Sequence, residues 1–482
     1  MKKQLFRSIL RCALILTLLL PAWLAWDIRP AEGFGGIIDV TRLDDPTPNG
    51  CSVDGCSLRE AIILANEDSG EDAIFLIAGE YYIEQPGADD NALVGDLDIL
   101  YPLQLIGPGK DTTTIYSFNF DRVFSLINAG VVSMSGITIY AAYQPNKDGG
   151  GIHCVSSTLN LNNMKITNFD SSGNSGGAIF NQSCTVTLNR VNITENLARY
   201  GGGLYAINST ITINQSYIDR NFAIFDGGGV RTENSSLTID SSLIDSNIAL
   251  NNGGGIFSSN TPLPRSASMI IDHQENERGD GGVIPAIDGV MLKISNSTIS
   301  GNKADLSGGG IVTNMMALIE HSTISSNLAD NDSDDLETGT GGGLYAYGGA
   351  TVSVGHSILA NNDLRSTSVH NDCDQNASTV TSIGYNLVES PGPCAFNLTS
   401  DILAQDPKLG PLQANGGPTN THALLPGSLA IDAGNPMLTR PPVAIPLYDQ
   451  RGVGFPRVVN GRIDIGAFES WVWTFLPVVS SL

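Results

Sequence analysis

Two or three glycines followed by an aliphatic residue recur along this chain. The phrase reads GGGI from Gly149, GGAI from Gly176, GGGL from Gly201, GGGV from Gly227, GGGI from Gly253, GGGI from Gly308 and GGGL from Gly341. The steps between first glycines are 27, 25, 26, 26, 55 and 33 residues. A fixed period in this range marks one structural unit stacked on copies of itself. The step of 55 reads as two ordinary steps divided near Gly281-Gly282-Val283, and the step of 33 as one step with an acidic insert around Asp330 to Glu337. A second phrase, Ile-x-x-Asn, keeps the same register at Ile193/Asn196, Ile218/Asn221, Ile244/Asn247, Ile299/Asn302, Ile324/Asn327 and Ile358/Asn361.

Within one copy, Ser236 to Ile256, apolar Leu237, Ile239, Leu243 and Ile244 stand among small polar residues. Alternation over such short runs is a strand pattern. The intervening Gly, Asn, Asp and Ser are turn formers. The copy reads as two or three short strands joined by tight corners. Alone it cannot bury its inward side chains; stacked in parallel at about 4.8 Å per rung, it can. The predicted fold is all-β: a right-handed, three-sided parallel β-helix with Ile193, Ile218 and Ile244 in one inward column. Asn196, Asn221, Asn247, Asn302 and Asn327 are expected to form a side-chain amide ladder at one corner.

Lys2, Lys3, Arg7 and Arg11 precede an apolar run from Cys12 to Leu20, the order of a secretory signal peptide, assigned to residues 1–31. The alternative is an uncleaved anchor. Six cysteines remain beyond it. An even count in an exported chain suggests disulfides, read as Cys51–Cys56, Cys373–Cys394 and a rung-to-rung Cys154–Cys184. The expected location is extracellular or at the cell surface, as a monomer. Asp plus Glu number 49 against 25 Lys plus Arg, a net charge of −24. Nucleic acid is disfavoured as a partner, since phosphate binding needs a basic stripe.

Three regions follow the leader: 35–110, the solenoid at 111–398, and an irregular region at 399–470, with an apolar tail at 471–482. Solenoid ends need covering, so both flanks read as caps. In the first, Leu58 to Asn66 is a helix with Ser57 as N-cap and Glu60 completing a capping box. Leu58, Ala61, Ile62 and Ala65 form its apolar stripe.

Cys56 to Asn66, CSLREAIILAN, resembles the CSLREA domain of secreted bacterial proteins, and Asp90-Asn91 with Gly95 to Ile99 resembles that module's continuation. The GGAI and Ile-x-x-Asn phrases are similar to polymorphic outer-membrane-protein repeats. Asp406 to Glu469, with NGGPTNTHAL, GSLAIDAGNP, DQRG and GRIDIGAFE, resembles the choice-of-anchor Q domain. These resemblances imply a bacterial surface or secreted β-helix protein with possible envelope attachment, and no settled activity.

The motif set of a β-helix polygalacturonase, Asn-x-Asp, Asp-Asp, Gly-His-Gly and Arg-x-Lys on successive rungs, is not present in order. Arg220, Arg231 and Lys293 read as solvated side chains. His153, His273, His321 and His356 do not share one repeat column. Asp219 and Asp245 occupy equivalent positions on successive rungs, which leaves paired-carboxylate hydrolysis open. Two acidic groups suit calcium, a hard ion that prefers oxygen ligands: Asp330, Asp332 and Asp334, and Asp90, Asp96 and Asp98 beside Asp89. No other cofactor is expected. The leading reading is a non-enzymatic adhesin or binding scaffold for a glycan or surface protein. The alternatives are a carbohydrate-active β-helix enzyme and a passive envelope component.

Overall fold

The computed structural model describes residues 35–52, 55–118, 121–141, 147–260, 291–332, 339–365, 369–438 and 445–471. The leader, His273, Asp334 and residues 472–482 of the tail lie outside them.

One coil shows how the repeat becomes structure. Ile179–Gln182, Thr185–Asn189, Asn192–Thr194 and Leu197–Tyr200 are four successive strands, and Leu204–Ile207 opens the next coil. Each pairs in parallel with its equivalent one coil on: Ile179 with Leu204, Thr185 with Thr210, Asn192 with Tyr217, Leu197 with Phe222. The result is an all-β parallel solenoid, with one helix among the described residues. Sheet I runs in twelve strands from Ile37–Asp39 to Thr379–Gly384, and sheet II in twelve from Gly79–Ile83 to Ile402–Leu403. Sheet III runs in ten from Leu97–Ile99 to Cys373–Asn376, and sheet IV in eight from Asp170–Ser175 to Val369–His370. The three-sided expectation is thus corrected. A fourth strand, often only two residues long, turns the chain between sheets II and III. The stacked strands also begin before residue 111, at Ile37, and end at Leu403.

Ile193, Ile218 and Ile244 are in register and have no exposed surface, and Ile139, Ile166, Ile299, Ile324 and Leu359 extend their column. Each such side chain contributes about 1.5–3 kcal/mol by leaving water. Most corners turn on a residue with positive φ. Between sheets I and II it is Arg190, Gln215, Ser241, Asn296, His321, His356 and Tyr385; between II and IV, Glu195, Arg220, Ser246, Gly301, Ser326 and Asn361. The corner from IV to III is the one that repeats glycine coil after coil. A Cβ on Gly201 would lie 2.5 Å from the Leu204 carbonyl oxygen, and one on Gly202 2.4 Å from that of Phe222.

The asparagine ladder is present. Asn196 Nδ2 donates to Asn221 Oδ1 at 2.9 Å, and the same bond links Asn221 to Asn247, Asn247 to Asn302 and Asn302 to Asn327. It continues through Asn362, not Asn361, and ends on the buried carboxylate of Asp372. The final phrase is Leu359-x-x-Asn362, and Asn361 is the left-handed corner residue. A second ladder at the corner from I to II went unread. The amides of Ser216, Ser242, Ser297 and Ser322 each donate to the hydroxyl of the next serine, ending with Ser322 on Ser357.

The step of 55 is one coil, not two. Ile248 pairs with Lys303, Ile256 with Ile311 and Leu237 with Leu292, so the flanking coils are direct neighbours, and Gly281-Gly282-Val283 lies outside the described residues.

The N-terminal end carries the expected helix, Leu58–Ala65, with its Ser57 cap and Glu60 capping box, and its stripe is buried. Arg59, on this helix, is fully buried as a clamp, a role no local pattern marks. Its Nε and Nη2 bind both oxygens of Asp45 at 2.7 and 3.0 Å, and its remaining donors reach the carbonyls of Ala92, Gly95 and Asp96. The far end is closed by residues around Phe396, which is buried in the solenoid core. The region after Leu403 folds back along the outer side of sheet II. There Gln450 bonds Thr298 and Ser242, Ala467 bonds Thr323, and Gly466 bonds the His356 carbonyl.

All three read disulfides are formed. Cys154 stands opposite Asn181, so Cys184 lies three residues past its equivalent position. Purified, unreduced protein is expected to show no free thiol among these six cysteines. Labelling read by mass spectrometry checks this, and modification of Cys154 or Cys184 would contradict the rung-to-rung bridge.

Candidate functional site

No group of three or more metal-ligating side chains occurs among the described residues, and Asp334 lies outside them. Asp330 is buried in its coil, where its carboxylate accepts from the Gly339 amide. In the other group Asp90 is exposed, while Asp96 and Asp98 are buried. Asp98 accepts from the Ala92 amide, and Asp96 faces Arg122 at 3.4 Å. Burial pushes Asp96 up to about 8, with the charges of Asp121 and Asp98 adding to it. Burial likewise pushes Asp98 to about 6. These residues clamp the first coils.

Asp219 and Asp245 are in register. Burial raises both, Asp245 to about 6. Arg220 is well exposed and pairs with Asp219 at 3.1 Å and Glu195 at 3.2 Å. Arg231, read as solvated, is 3% exposed: it bonds Asp226 and Glu233 and stands 4.2 Å from the Tyr200 ring centre. The four histidines do not share one column, with His153 on sheet III, but two of them do. His321 and His356 share the corner column between sheets I and II and stack at 4.8 Å, followed by Tyr385 at 5.3 Å. The C-terminal region covers them, with Arg457 Nη2 3.2 Å from His321 Nδ1.

The groove that stands out runs along the corner from sheet II to sheet IV, with a cavity volume of about 550 Å³. One wall is the solenoid: Lys303 on sheet IV, the corner residues Ser326 and Asn361, and the antiparallel strands that set Asp363 against His370. The other wall is a hairpin of the C-terminal region, Leu409–Gln413 with Thr421–Leu424. His422 fastens that wall, sharing hydrogen bonds with the Ser300 hydroxyl at 2.9 Å and the Gly410 carbonyl at 2.8 Å. Burial lowers its pKa, so it is neutral and donates from Nδ1 to that carbonyl.

Asp363 and His370 meet at 2.7 Å on the open side. Burial opposes charge on His370, but the hydrogen bond to Asp363 and nearby carboxylates outweigh it and raise its pKa. Glu389 stands behind, accepting from the Asn361 amide at 3.0 Å. Lys303 is matched by Asp363, which also bonds His370. Pro411, Leu328 and Leu409 supply apolar surface. Matched charges, amides, hydroxyls and an apolar strip suit a neutral, polyhydroxylated ligand. Pockets of this volume hold small molecules. Of these residues only Asn361 drew notice in the sequence, in another role. The usable signal was the corner column itself, which places Gly301, Ser326 and Asn361 in one line.

No family model matches the sequence, nor does any curated protein. Among solved structures, pectate lyase Pel9A aligns over 91% of this chain and 97% of its own at 13% identity and a TM-score of 0.41. The Agl-KA catalytic domain aligns over 78% and 68% at 13% identity and a TM-score of 0.35. The A-module of the Azotobacter vinelandii mannuronan C-5 epimerase AlgE4 aligns over 75% and 100% at 14% identity and a TM-score of 0.27. No residue role passes to this chain from likenesses at this level.

Proposed function

We propose that this protein is a non-enzymatic, extracellular β-solenoid that holds a neutral glycan in the groove between sheet IV and the C-terminal hairpin. The observation that carries this reading is the charge-matched groove lining of Lys303, Asn361, Asp363 and His370. Carboxylate and amide oxygens accept from sugar hydroxyls, ammonium and amide hydrogens donate to them, and Pro411 and Leu409 meet the C–H face. Three disulfides fit an oxidising compartment. The resemblances of Cys56–Asn66 and Asp406–Glu469 to modules of bacterial surface proteins support display outside the cell.

The test is a glycan array followed by calorimetry on hits. The parent is expected to bind neutral oligosaccharides, with Asn361→Ala and Asp363→Asn each weakening binding about tenfold, the effect of one or two hydrogen bonds. No neutral hit, or hits insensitive to both substitutions, would remove the groove from the reading. The same mixtures assayed for reducing ends and unsaturated products separate binding from catalysis. Turnover lost in Asp245→Asn would replace the binder by an enzyme working through the Asp219–Asp245 pair.

A further inference from the structure

Three clusters of Phe and Tyr rings lie among the described residues, and two are capped by arginines of this chain. Arg231 stands 4.2 Å from the ring centre of Tyr200 and 5.2 Å from that of Phe257, with Arg199 5.1 Å from Phe225. Arg451 lies 3.8 Å from Phe468 and 4.1 Å from Phe455. The third cluster sits on the outer face of the first coils of sheet II. Tyr82 and Tyr116 stack at 5.4 Å, Phe118 meets Tyr82 edge-on at 64°, and Tyr140 tilts against Tyr116 at 59°. These rings are half-buried. No Lys or Arg of the described residues lies over Tyr82, Tyr116 or Tyr140.

A carboxylate stands there instead. Glu80 is exposed and accepts from the hydroxyls of Tyr82 at 2.5 Å and Tyr116 at 3.5 Å. Glu84 is exposed nearby and within electrostatic reach of Tyr82. Ring faces are the negative part of the aromatic quadrupole and attract cations. The net charge of −24 raises the local concentration of any cation.

We propose that the Tyr82–Tyr116–Phe118–Tyr140 cluster with Glu80 is a binding site for an organic ammonium group, of the trimethylammonium class. The site is independent of the groove, which lies several coils away. A sulfate- or carboxylate-bearing ligand would be repelled by Glu80 and Glu84. A neutral apolar ligand would gain nothing from the carboxylates.

The test titrates choline chloride into the full chain by calorimetry, beside 3,3-dimethylbutan-1-ol, a neutral molecule of nearly the same shape. Choline is expected to bind, and the alcohol about tenfold more weakly. Tyr116→Ala should abolish choline binding and Glu80→Gln weaken it several-fold, both with a parent-like circular dichroism spectrum at the temperature of the titration. Asn361→Ala should leave it unaffected even if the groove binds no glycan. Equal binding of choline and the alcohol, or choline binding unchanged in both Tyr116→Ala and Glu80→Gln, would overturn the proposal. Vesicles of phosphatidylcholine against phosphatidylglycerol identify the source. Selective capture by the first assigns a membrane headgroup, and binding of free choline alone assigns a soluble ligand.

Discussion

Replacing Arg59 by alanine is expected to destabilise the N-terminal coils by about 3–5 kcal/mol, because it leaves the buried Asp45 carboxylate without its cation. The arginine joins three separate pieces of chain: the helix that carries it, the segment of Asp45, and the loop that presents the carbonyls of Ala92, Gly95 and Asp96. Asp45 in turn receives the amides of Glu84 and Gln85. Losing the guanidinium therefore loosens the loop from Gly87 to Asp96 and the helix together. Amide hydrogen exchange is the direct measurement, since local opening shows there before global unfolding. Exchange of residues 58–66 and 92–99 should rise steeply in Arg59→Ala, while coils beyond Leu159 keep their protection. Arg59→Lys should fall between, because an ammonium cannot reproduce the two-oxygen contact with Asp45. Parent-like protection of residues 58–66 in the alanine variant would show that the clamp does not hold the helix.

The second large effect is expected at Asn247. Its amide accepts from the backbone and side-chain nitrogens of Asn221 and donates to the Ile218 carbonyl and Asn302 Oδ1. Asn247→Ala strands two donors of Asn221 and the Ile218 carbonyl in the interior, while Asn302 Oδ1 keeps the backbone amide of residue 247. Each buried orphan costs about 1–3 kcal/mol, and partial relaxation brings the total to about 3–5 kcal/mol. Asn247→Asp should cost a similar amount, since a carboxylate receives Asn221 but cannot donate onward. Urea unfolding reads both, the midpoint moving at constant slope. A loss below about 1 kcal/mol in Asn247→Ala would mean the ladder bonds contribute little in solution.

What the sequence disclosed follows from which contacts are local or periodic. The inward isoleucines, the helix with Ser57 and Glu60, and the cysteine pairs each leave a pattern within a few residues or at one period. The glycine corner was legible because neighbouring carbonyls exclude any Cβ there. The other corners use the same left-handed backbone but accept Arg190, Glu195 or His321, so their columns look random in the sequence. His321 and His356 were missed for that reason. The serine ladder was missed because serine is common everywhere; its signal, Ser-x-Ile-x-x-Asn at Ser216, Ser242, Ser297 and Ser322, appears only when both phrases are aligned. Gly281-Gly282-Val283 imitated the repeat without a second phrase to confirm it. Arg231 was misread because its partners come from the corner before it and from neighbouring coils. The groove was illegible because one wall comes from a region without repeats.

The asparagine ladder has a direction. Every Nδ2 points toward the next coil, and the series closes on the Asp372 carboxylate. A coil duplicated between Asn221 and Asn247 would find, at both junctions, the donor and acceptor already there. Length is therefore a variable that heredity can change in whole steps of one coil, each adding about 4.8 Å of reach. A shortened or lengthened descendant would keep its Arg59 clamp and its Asp372 terminus. For a molecule displayed outside a cell, that turns a hydrogen-bond pattern into an adjustable ruler.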